Sequence, residues 1–256
     1  MTVGLAIVGY GKMGRLIAQL APEYGFEVRA TFTSDSVRTL SEKTLNGATV
    51  AAEFTHSAAA AFNLCCLSSL GVSTVCGTTG WLNQLPSVRE AVRRANTALV
   101  YGANFSIGVN LFLKIVAEAA ARFADHPDYQ AWGWEIHHSA KKDAPSGTLL
   151  RLHQEMISGG YTGDVALSSS RAGSHPGTHE IGFDSAEDTI TLRHTARSRE
   201  GFARGALQAT RWLLHKRGVF EFAEIIGELS RRDIFLREGE GSGETQPAQS
   251  RPESRL

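Results

Sequence analysis

Val3 to Val8 is a short, nearly unbroken apolar run, the pattern of a parallel strand buried on both faces. Glycines follow it, and then Met13, Leu16, Ile17 and Leu20 recur at helical spacing until Pro22 and Gly25 interrupt them. Phe26 to Phe32 alternates as a second strand, and the polar connection Thr33 to Gly47 leads into a further strand-like run, Thr49 to Phe54. The pattern then predicts an alanine-rich helix over residues 57–70, a strand over 72–76, the turn Gly77-Thr78-Thr79-Gly80, a helix to Asn96 and a strand over 98–101. Strand and helix thus alternate through the first hundred or so residues. Such repetition predicts an α/β fold with a doubly wound parallel sheet, which binds its ligands at the carboxyl ends of the strands. The turns rich in Gly, Thr and Asn fall on that edge.

The pattern changes after a helix over 109–123. Strand-like runs cover 130–138, 165–170, 178–183 and 189–195, with one helix over 149–157 between the first two. This is the pattern of a second, α+β domain carrying a mixed or antiparallel sheet, inserted into the first. Residues 202–215 are helical again and return the chain to the first unit. The expected domains are residues 1–106 completed by 199–236, and 107–198. The Gly, Glu, Ser, Gln and Pro content of 237–256 predicts a solvated, disordered tail.

Composition narrows the function classes. Lys plus Arg and Asp plus Glu both number 26, so no net charge favours nucleic acid or an anionic membrane. No apolar stretch approaches the roughly 20 residues that span a bilayer. The first apolar run has no cationic segment ahead of it and breaks at Gly9, which reads as a strand rather than a signal peptide. Cys65, Cys66 and Cys76 lack metal-ligand spacing and read as buried free thiols of a reducing compartment, so the expected location is cytoplasmic.

Two segments carry chemistry. Gly9-Tyr10-Gly11-Lys12-Met13-Gly14 follows a strand and opens a helix, the context in which a G-x-G-x-x-G turn binds a dinucleotide. Gly9 permits the tight turn, Gly11 the approach of the pyrophosphate, and Gly14 close helix–strand packing. An acid that would bond the ribose of NAD is missing at the end of the second strand, where Thr31-Phe32-Thr33-Ser34 stands and Asp35 comes late. With Lys12 in the turn, this slightly favours NADPH over NADH as the cofactor.

The second segment, Glu135-Ile136-His137-His138-Ser139-Ala140-Lys141-Lys142-Asp143-Ala144-Pro145-Ser146-Gly147-Thr148, concentrates imidazoles, ammonium groups and a Ser-Gly-Thr helix start. Adjacent His137 and His138 should point to opposite faces of a strand. No H-E-x-x-H or other metal spacing supports a metal site, and no G-x-S-x-G elbow supports a hydrolase triad. Hydride delivery to a conjugated C=C or C=N leaves negative charge that a positioned His or Lys can quench. Amides at the start of the helix after Pro145, with Lys141 or Lys142, suit a carboxylate. The expected partner is therefore a small dicarboxylate that accepts hydride and proton.

These segments resemble the dihydrodipicolinate reductase (4-hydroxy-tetrahydrodipicolinate reductase) family. The signature is Glu135 to His138, Lys141 and Asp143 to Thr148, and the likeness runs from Ile7 to Leu229. Glu53-Phe54-Thr55-His56, Gly77 to Gly80, Asn104 to Asn110, Gly177-Thr178-His179 with Phe183, Ser198-Arg199 and Phe202 to Ala206 fit further family segments. The resemblance implies a Rossmann-like cofactor domain and a substrate domain, 107–198, whose sheet builds a homotetramer. It implies reduction by NADPH or NADH in diaminopimelate and lysine synthesis. It makes His137 and Lys141 the catalytic pair, and places His138, Ser146, Gly147 and Thr148 at the substrate. It assigns the glycine turn, Phe54, Gly77, Thr78, Thr79, Gly102, Ala103, Asn104 and Phe105 to the cofactor, with Arg199 and Phe202 in support. Glu53 replaces the more usual Asp, and Ser139-Ala140 stands where basic residues often occur, which should weaken substrate affinity.

Overall fold

A computed structural model describes residues 2–34 and 36–229; Asp35, the end of the expected first domain (230–236) and the expected tail (237–256) lie outside the described residues. The first unit runs β1 (Val3–Val8), α1 (Lys12–Leu20), β2 (Phe26–Phe32), α2 (Glu42–Leu45), β3 (Val50–Glu53), α3 (Ser57–Ser69), β4 (Ser73–Cys76), α4 (Leu85–Arg94) and β5 (Ala98–Tyr101). Then follow α5 (Ile107–Phe123), β6 (Gln130–His137), α6 (Gly147–Ser158), β7 (Val165–Arg171), β8 (Thr178–Asp184) and β9 (Thr189–Thr195). The chain ends its described course with α7 (Glu200–Leu213), β10 (Gly218–Glu221) and α8 (Phe222–Ile225).

Six strands form one parallel sheet in the order β10-β5-β4-β3-β1-β2. Ile17, Leu20, Ala203, Ala206, Leu207 and Leu213 bring α1 and α7 onto one face; Leu64, Val88 and Val92 bring α3 and α4 onto the other. Covered on both faces, all of β3 is buried, which is why its sequence is apolar up to Glu53. The chain leaves β1 outward to β2 and then crosses back to β3 on the far side. That reversal opens a crevice at the carboxyl ends of β1 and β3, where such sheets place their ligands.

The second sheet has the order β7-β6-β8-β9 and is mixed: β6 and β7 run parallel across α6, whereas β6–β8 and β8–β9 are antiparallel. Phe112, Val116 and Ala120 of α5 and Leu149, Leu152 and Met156 of α6 pack on Ala131, Ile181 and Phe183. Alternation puts Trp132 and Trp134 on the opposite face, with exposed Ser168, Thr191 and Arg193 beside them.

The differences from the expected elements have local causes. Helices α5 and α6 each start two residues early because Ser106 and Ser146 cap them, accepting hydrogen bonds from the Val109 and Leu149 amides at 3.3 Å. Strand β6 ends at His137, one residue short. The sequence pattern does not predict α2, β10 or α8, since elements of four residues carry too little periodicity to register.

Helix α7 also fixes the loop before α5. A Cβ at Gly205 would stand 1.8 Å from the Phe105 carbonyl oxygen, so helix and loop touch backbone to backbone. Gly205→Ala is expected to cost about 1–3 kcal/mol through this overpacking. Urea unfolding measures it; an unchanged midpoint would show that the Phe105 loop yields freely.

Candidate active site

The glycine turn closes the crevice between β1 and β3. Gly9 has φ +101°, and a Cβ there would lie 2.3 Å from the Phe54 carbonyl oxygen, while one at Gly14 would lie 2.2 Å from that of Gly9. A Cβ at Gly11 would meet nothing within 4 Å, which leaves that backbone open to a phosphate. No side chain caps α1 and its first turn has no acid, so its amides and dipole can serve an anion. Exposed Lys12 adds a positive charge, while the neighbouring Tyr10 ring lies under Arg15 at 5.7 Å. These features fit the pyrophosphate of a dinucleotide.

Beside the turn lies a cavity of about 250 Å³ lined by Met13, Phe54, Gly77, Ala103, Phe105, Arg199 and Phe202. Five of these are residues expected at the cofactor, and Arg199 and Phe202 arrive from the return of the chain into α7. Thr78, Thr79, Gly102 and Asn104 are not part of this lining. Thr78 instead ties two loops together, its hydroxyl accepting from the Thr55 amide at 2.9 Å and its carbonyl from Trp81 Nε1 at 2.8 Å. Asn104 shapes its own loop by accepting from the Ser106 amide at 2.8 Å, and Gly102 bonds back to the Cys76 carbonyl. Glu53, noticed in the sequence only as a motif variant, is fully buried below this edge. It accepts from Thr55 Oγ1, from Asn63 Nδ2 at 3.2 Å and from Cys76 Sγ at 3.2 Å. Burial and the adjacent carboxylate push the Cys76 thiol well up, which leaves it protonated and inert.

The second centre is built on the helix-facing side of the mixed sheet. Glu135 is fully buried, with Oε1 accepting from the Ser146 amide at 2.8 Å, Ser169 Oγ at 2.9 Å and Arg171 Nη2 at 2.9 Å. Its Oε2 accepts from the Ser146 hydroxyl and lies 3.4 Å from His137 Nδ1 and 3.3 Å from His179 Nε2. Burial pushes the Glu135 carboxyl up, but these donors prevail and hold it below the usual glutamate range. Burial pushes the His137 imidazole down, and Lys141 and Arg171 add to this against the pull of Glu135 and Asp143. His179 is pushed down to about 4 by burial and by His137, with Glu135 opposing. Glu135, His137 and His179 offer ligand atoms within 4.8 Å of one another. With Arg171 and the hydroxyls already on the carboxylate, this set is suited to sharing protons rather than holding a cation.

The other expected substrate residues surround this centre. His138 follows the end of the strand and is half-buried. Lys141 Nζ donates to both Asp143 oxygens, at 2.8 and 2.9 Å. Lys141 holds the Asp143 carboxyl below its usual range, and the Gly147 amide adds to this. Ser146 turns both its hydroxyl and its amide to Glu135, and the Gly147 amide bears on Asp143, so a ligand carboxylate at this helix start would take the place of Asp143. The sequence alone gives Arg171, Ser169 and His179 no role. Only His179, within the Gly177-Thr178-His179 segment, had a signal, whereas Arg171 and Ser169 reach Glu135 through the parallel β6–β7 register.

The parallel sheet with its glycine crevice, and a second sheet holding a carboxylate–histidine centre, define a nucleotide-dependent oxidoreductase built on two sheets. The chain belongs to the dihydrodipicolinate reductase family: the family's N-terminal model matches residues 3–105 and its C-terminal model residues 108–226. A 4-hydroxy-tetrahydrodipicolinate reductase from Christiangramia forsetii is 32% identical over 240 residues, covering 89% of this chain and 99% of the relative. One from Methanosarcina barkeri is 34% identical over 196 residues, covering 70% and 73%. Among solved structures, a dipicolinate-bound dihydrodipicolinate reductase from Paenisporosarcina superposes with a TM-score of 0.73 at 20% identity, covering 88% of this chain and all of that one. An amine dehydrogenase from Mycobacterium smegmatis, at TM-score 0.59 and 9% identity over 88% of this chain and 96% of that one, shares the fold.

The buried histidines make folding sensitive to acid. His137, His179 and His194 all have lowered values in the folded protein, so the unfolded chain binds more protons as pH falls below the ordinary imidazole range. The stability they contribute is present above that range and lost as pH falls through the folded values. His179 alone, at about 4, is expected to remove about 2 kcal/mol between pH 7 and pH 5. Urea unfolding at the two pH values measures this, and equal free energies would contradict the buried neutral state of His179.

Proposed function

We propose that the chain reduces 4-hydroxy-tetrahydrodipicolinate to tetrahydrodipicolinate, the 4-hydroxyl leaving as water to give dihydrodipicolinate, which takes up hydride and proton, with NADPH or NADH as reductant, in the diaminopimelate route to lysine. The observation that carries this reading is the pairing of His137, backed by Glu135, with Lys141 and the start of α6. That set can bind a carboxylate and deliver a proton next to a carbon that receives hydride. Family membership names the substrate.

The reduced nicotinamide supplies the hydride when bound. Met13, Phe54, Gly77, Ala103 and Phe105 would line its ring, and the Phe54 and Phe105 rings, 6.1 Å apart, exclude water there. The amides of Gly147 and Thr148 and the ammonium of Lys141 bind one substrate carboxylate, for which Asp143 must release Lys141. His137 gives up a proton as charge develops on the reduced substrate, and Lys141 is the second proton donor. His138 contributes to binding from the outer side of the strand end. NADPH is slightly preferred on account of Lys12 and the run Thr31 to Ser34, which has no carboxylate. Residues 1–106 with 199–236 form the cofactor domain, and 107–198 the substrate and oligomerisation domain. The reaction takes place in the cytoplasm, a reading supported by the free thiols Cys65, Cys66 and Cys76. No described helix is long and apolar enough to cross a membrane.

A homotetramer built on the second sheet is the expected assembly, supported by Trp132 and Trp134 on the sheet face opposite α5 and α6. Sedimentation of the wild type should give a tetramer, and of Trp134→Glu a smaller species; a monomeric wild type would contradict it. For the reaction, precursor generated freshly by a coupled enzyme should cause oxidation of NADPH, and more slowly of NADH, followed by nicotinamide absorbance. His137→Ala and Lys141→Ala should each lower turnover by about 100-fold or more while NADPH still binds. Near-normal turnover in both variants would refute the assigned roles, and no oxidation by folded wild type would refute the substrate.

A further inference from the structure

Both oxygens of Glu135 lie in the protein interior, yet they are used unequally. Oε1 is saturated by Arg171, Ser169 and the Ser146 amide. Oε2 receives the Ser146 hydroxyl and faces two imidazoles at once, His137 Nδ1 at 3.4 Å and His179 Nε2 at 3.3 Å. The two rings meet edge to face, their centroids 5.0 Å apart. His137 Nδ1 is buried and makes no hydrogen bond at this separation. A buried ring nitrogen without a partner is uncommon enough to require an explanation. The carboxylate is its nearest anion, and a contact of this length tightens when the ring becomes charged. The opposite nitrogen, Nε2, lies against Gly177, where a Cβ would stand 2.9 Å away. Glycine at 177, with φ +134°, therefore keeps the second nitrogen of His137 uncovered.

We propose that Glu135 is the positioning residue of the proton site and that His179 tunes it. Glu135 holds His137 through Nδ1, so that Nε2 is the atom that delivers the proton, while His179 occupies the same carboxylate oxygen and limits the charge His137 receives. The inference rests on the reading of His137 as the proton donor. The chemistry is that of a carboxylate that fixes the tautomer and orientation of an imidazole and stabilises its charged form. Arg171 keeps the carboxylate ionised, and the neutral His179 ring, its Nε2 3.3 Å from Oε2 and hydrogen-bonded at 3.2 Å to the Ser146 hydroxyl that donates to that oxygen, crowds Oε2 without adding charge. Lys141 and Asp143 from the loop after β6 and Arg171 from β7 are the other charged groups bearing on His137, and His175 bonds the Gly177 amide nearby. Arg171 and Ser169 on β7, Glu135 and His137 on β6, His179 on β8 and the cap of α6 thus converge on one ion.

The two partners are predicted to shift His137 in opposite directions. Removing the charge in Glu135→Gln lowers the proton affinity of His137. Replacing His179 with leucine frees Oε2 for His137 and raises it. The experiment titrates the His137 ring by NMR in wild type, Glu135→Gln and His179→Leu, assigning its signal by its loss in His137→Ala, and records the pH profile of kcat/KM. The expected result is a downward shift in Glu135→Gln and an upward shift in His179→Leu, with the loss of kcat/KM at rising pH moving the same way in each. Turnover of Glu135→Gln should fall about 10- to 100-fold, with KM for both substrates roughly unchanged. A purely structural role would lower the amount of folded enzyme without moving either titration. Unmoved titrations, or shifts of the same sign, would overturn the proposal even where His137→Ala is inactive. If His137→Ala keeps full turnover, the proton-donor reading fails and this proposal with it. Should Glu135→Gln not fold, His179→Leu decides alone, and an unmoved or lowered His137 titration overturns the proposal.

Discussion

A carboxylate with no exposure to water has lost its hydration, and it stays ionised only if the protein replaces what water supplied. Glu135 meets that demand with donors from two separate places, Arg171 and Ser169 on β7 and both polar groups of Ser146 at the start of α6, while His179 on β8 bonds the Ser146 hydroxyl and stands 3.3 Å from Oε2. Each donor sits where it does because of a strand register or a helix cap. Pairing Glu135 with Ser169 in the parallel ladder and with His179 in the antiparallel one brings both onto the carboxylate's side of the sheet. Removing one partner of such an ion typically costs about 3–5 kcal/mol, so the mixed arrangement of the second sheet and the chemistry of its edge depend on one another.

The same anchor sets the start of α6. By turning Ser146 inward to Glu135, the fold leaves Gly147 and Thr148 as the first helical residues, at a terminus whose dipole favours an anion. Lys141 and Asp143, held together just before the helix, place a cation and its temporary counterion at that terminus. A ligand carboxylate can take the counterion's place at little electrostatic cost, because it replaces one carboxylate by another.

Much of this architecture was legible along the chain. The strand–helix alternation, the glycine turn and the change of pattern after α5 are periodic or local signals, and they located the longer elements closely, while the four-residue elements α2, β10 and α8 left no signal. What was not legible was long-range. Arg171 and Ser169 look like ordinary polar residues of an exposed strand until parallel pairing with β6 turns them onto Glu135. Ser146 looks like a substrate contact in sequence, yet burial gives it a structural partner first. Strand β10 was invisible because its burial comes from β5, not from its own residues.

Hydride and proton come from different sheets in the proposed reaction, so the link between them matters as much as either site. Helix α5 begins two residues after Phe105, which lines the cofactor cavity, and runs onto the second sheet, where Phe112 stacks on His194 with ring centroids 5.9 Å apart. His194 pairs across the ladder with His179, which faces Glu135. On the cofactor side, Gly205 of α7 presses on the Phe105 carbonyl, and the residues before that helix bring Arg199 and Phe202 into the cavity. One helix thus leads from the cavity wall to the sheet that holds the proton site, and a second presses on the loop from which the first begins. At residues 104–106 this connection is braced by Asn104, which accepts from the Ser106 amide, and by Asn110, whose side chain donates to the Asn104 and Ser106 carbonyls.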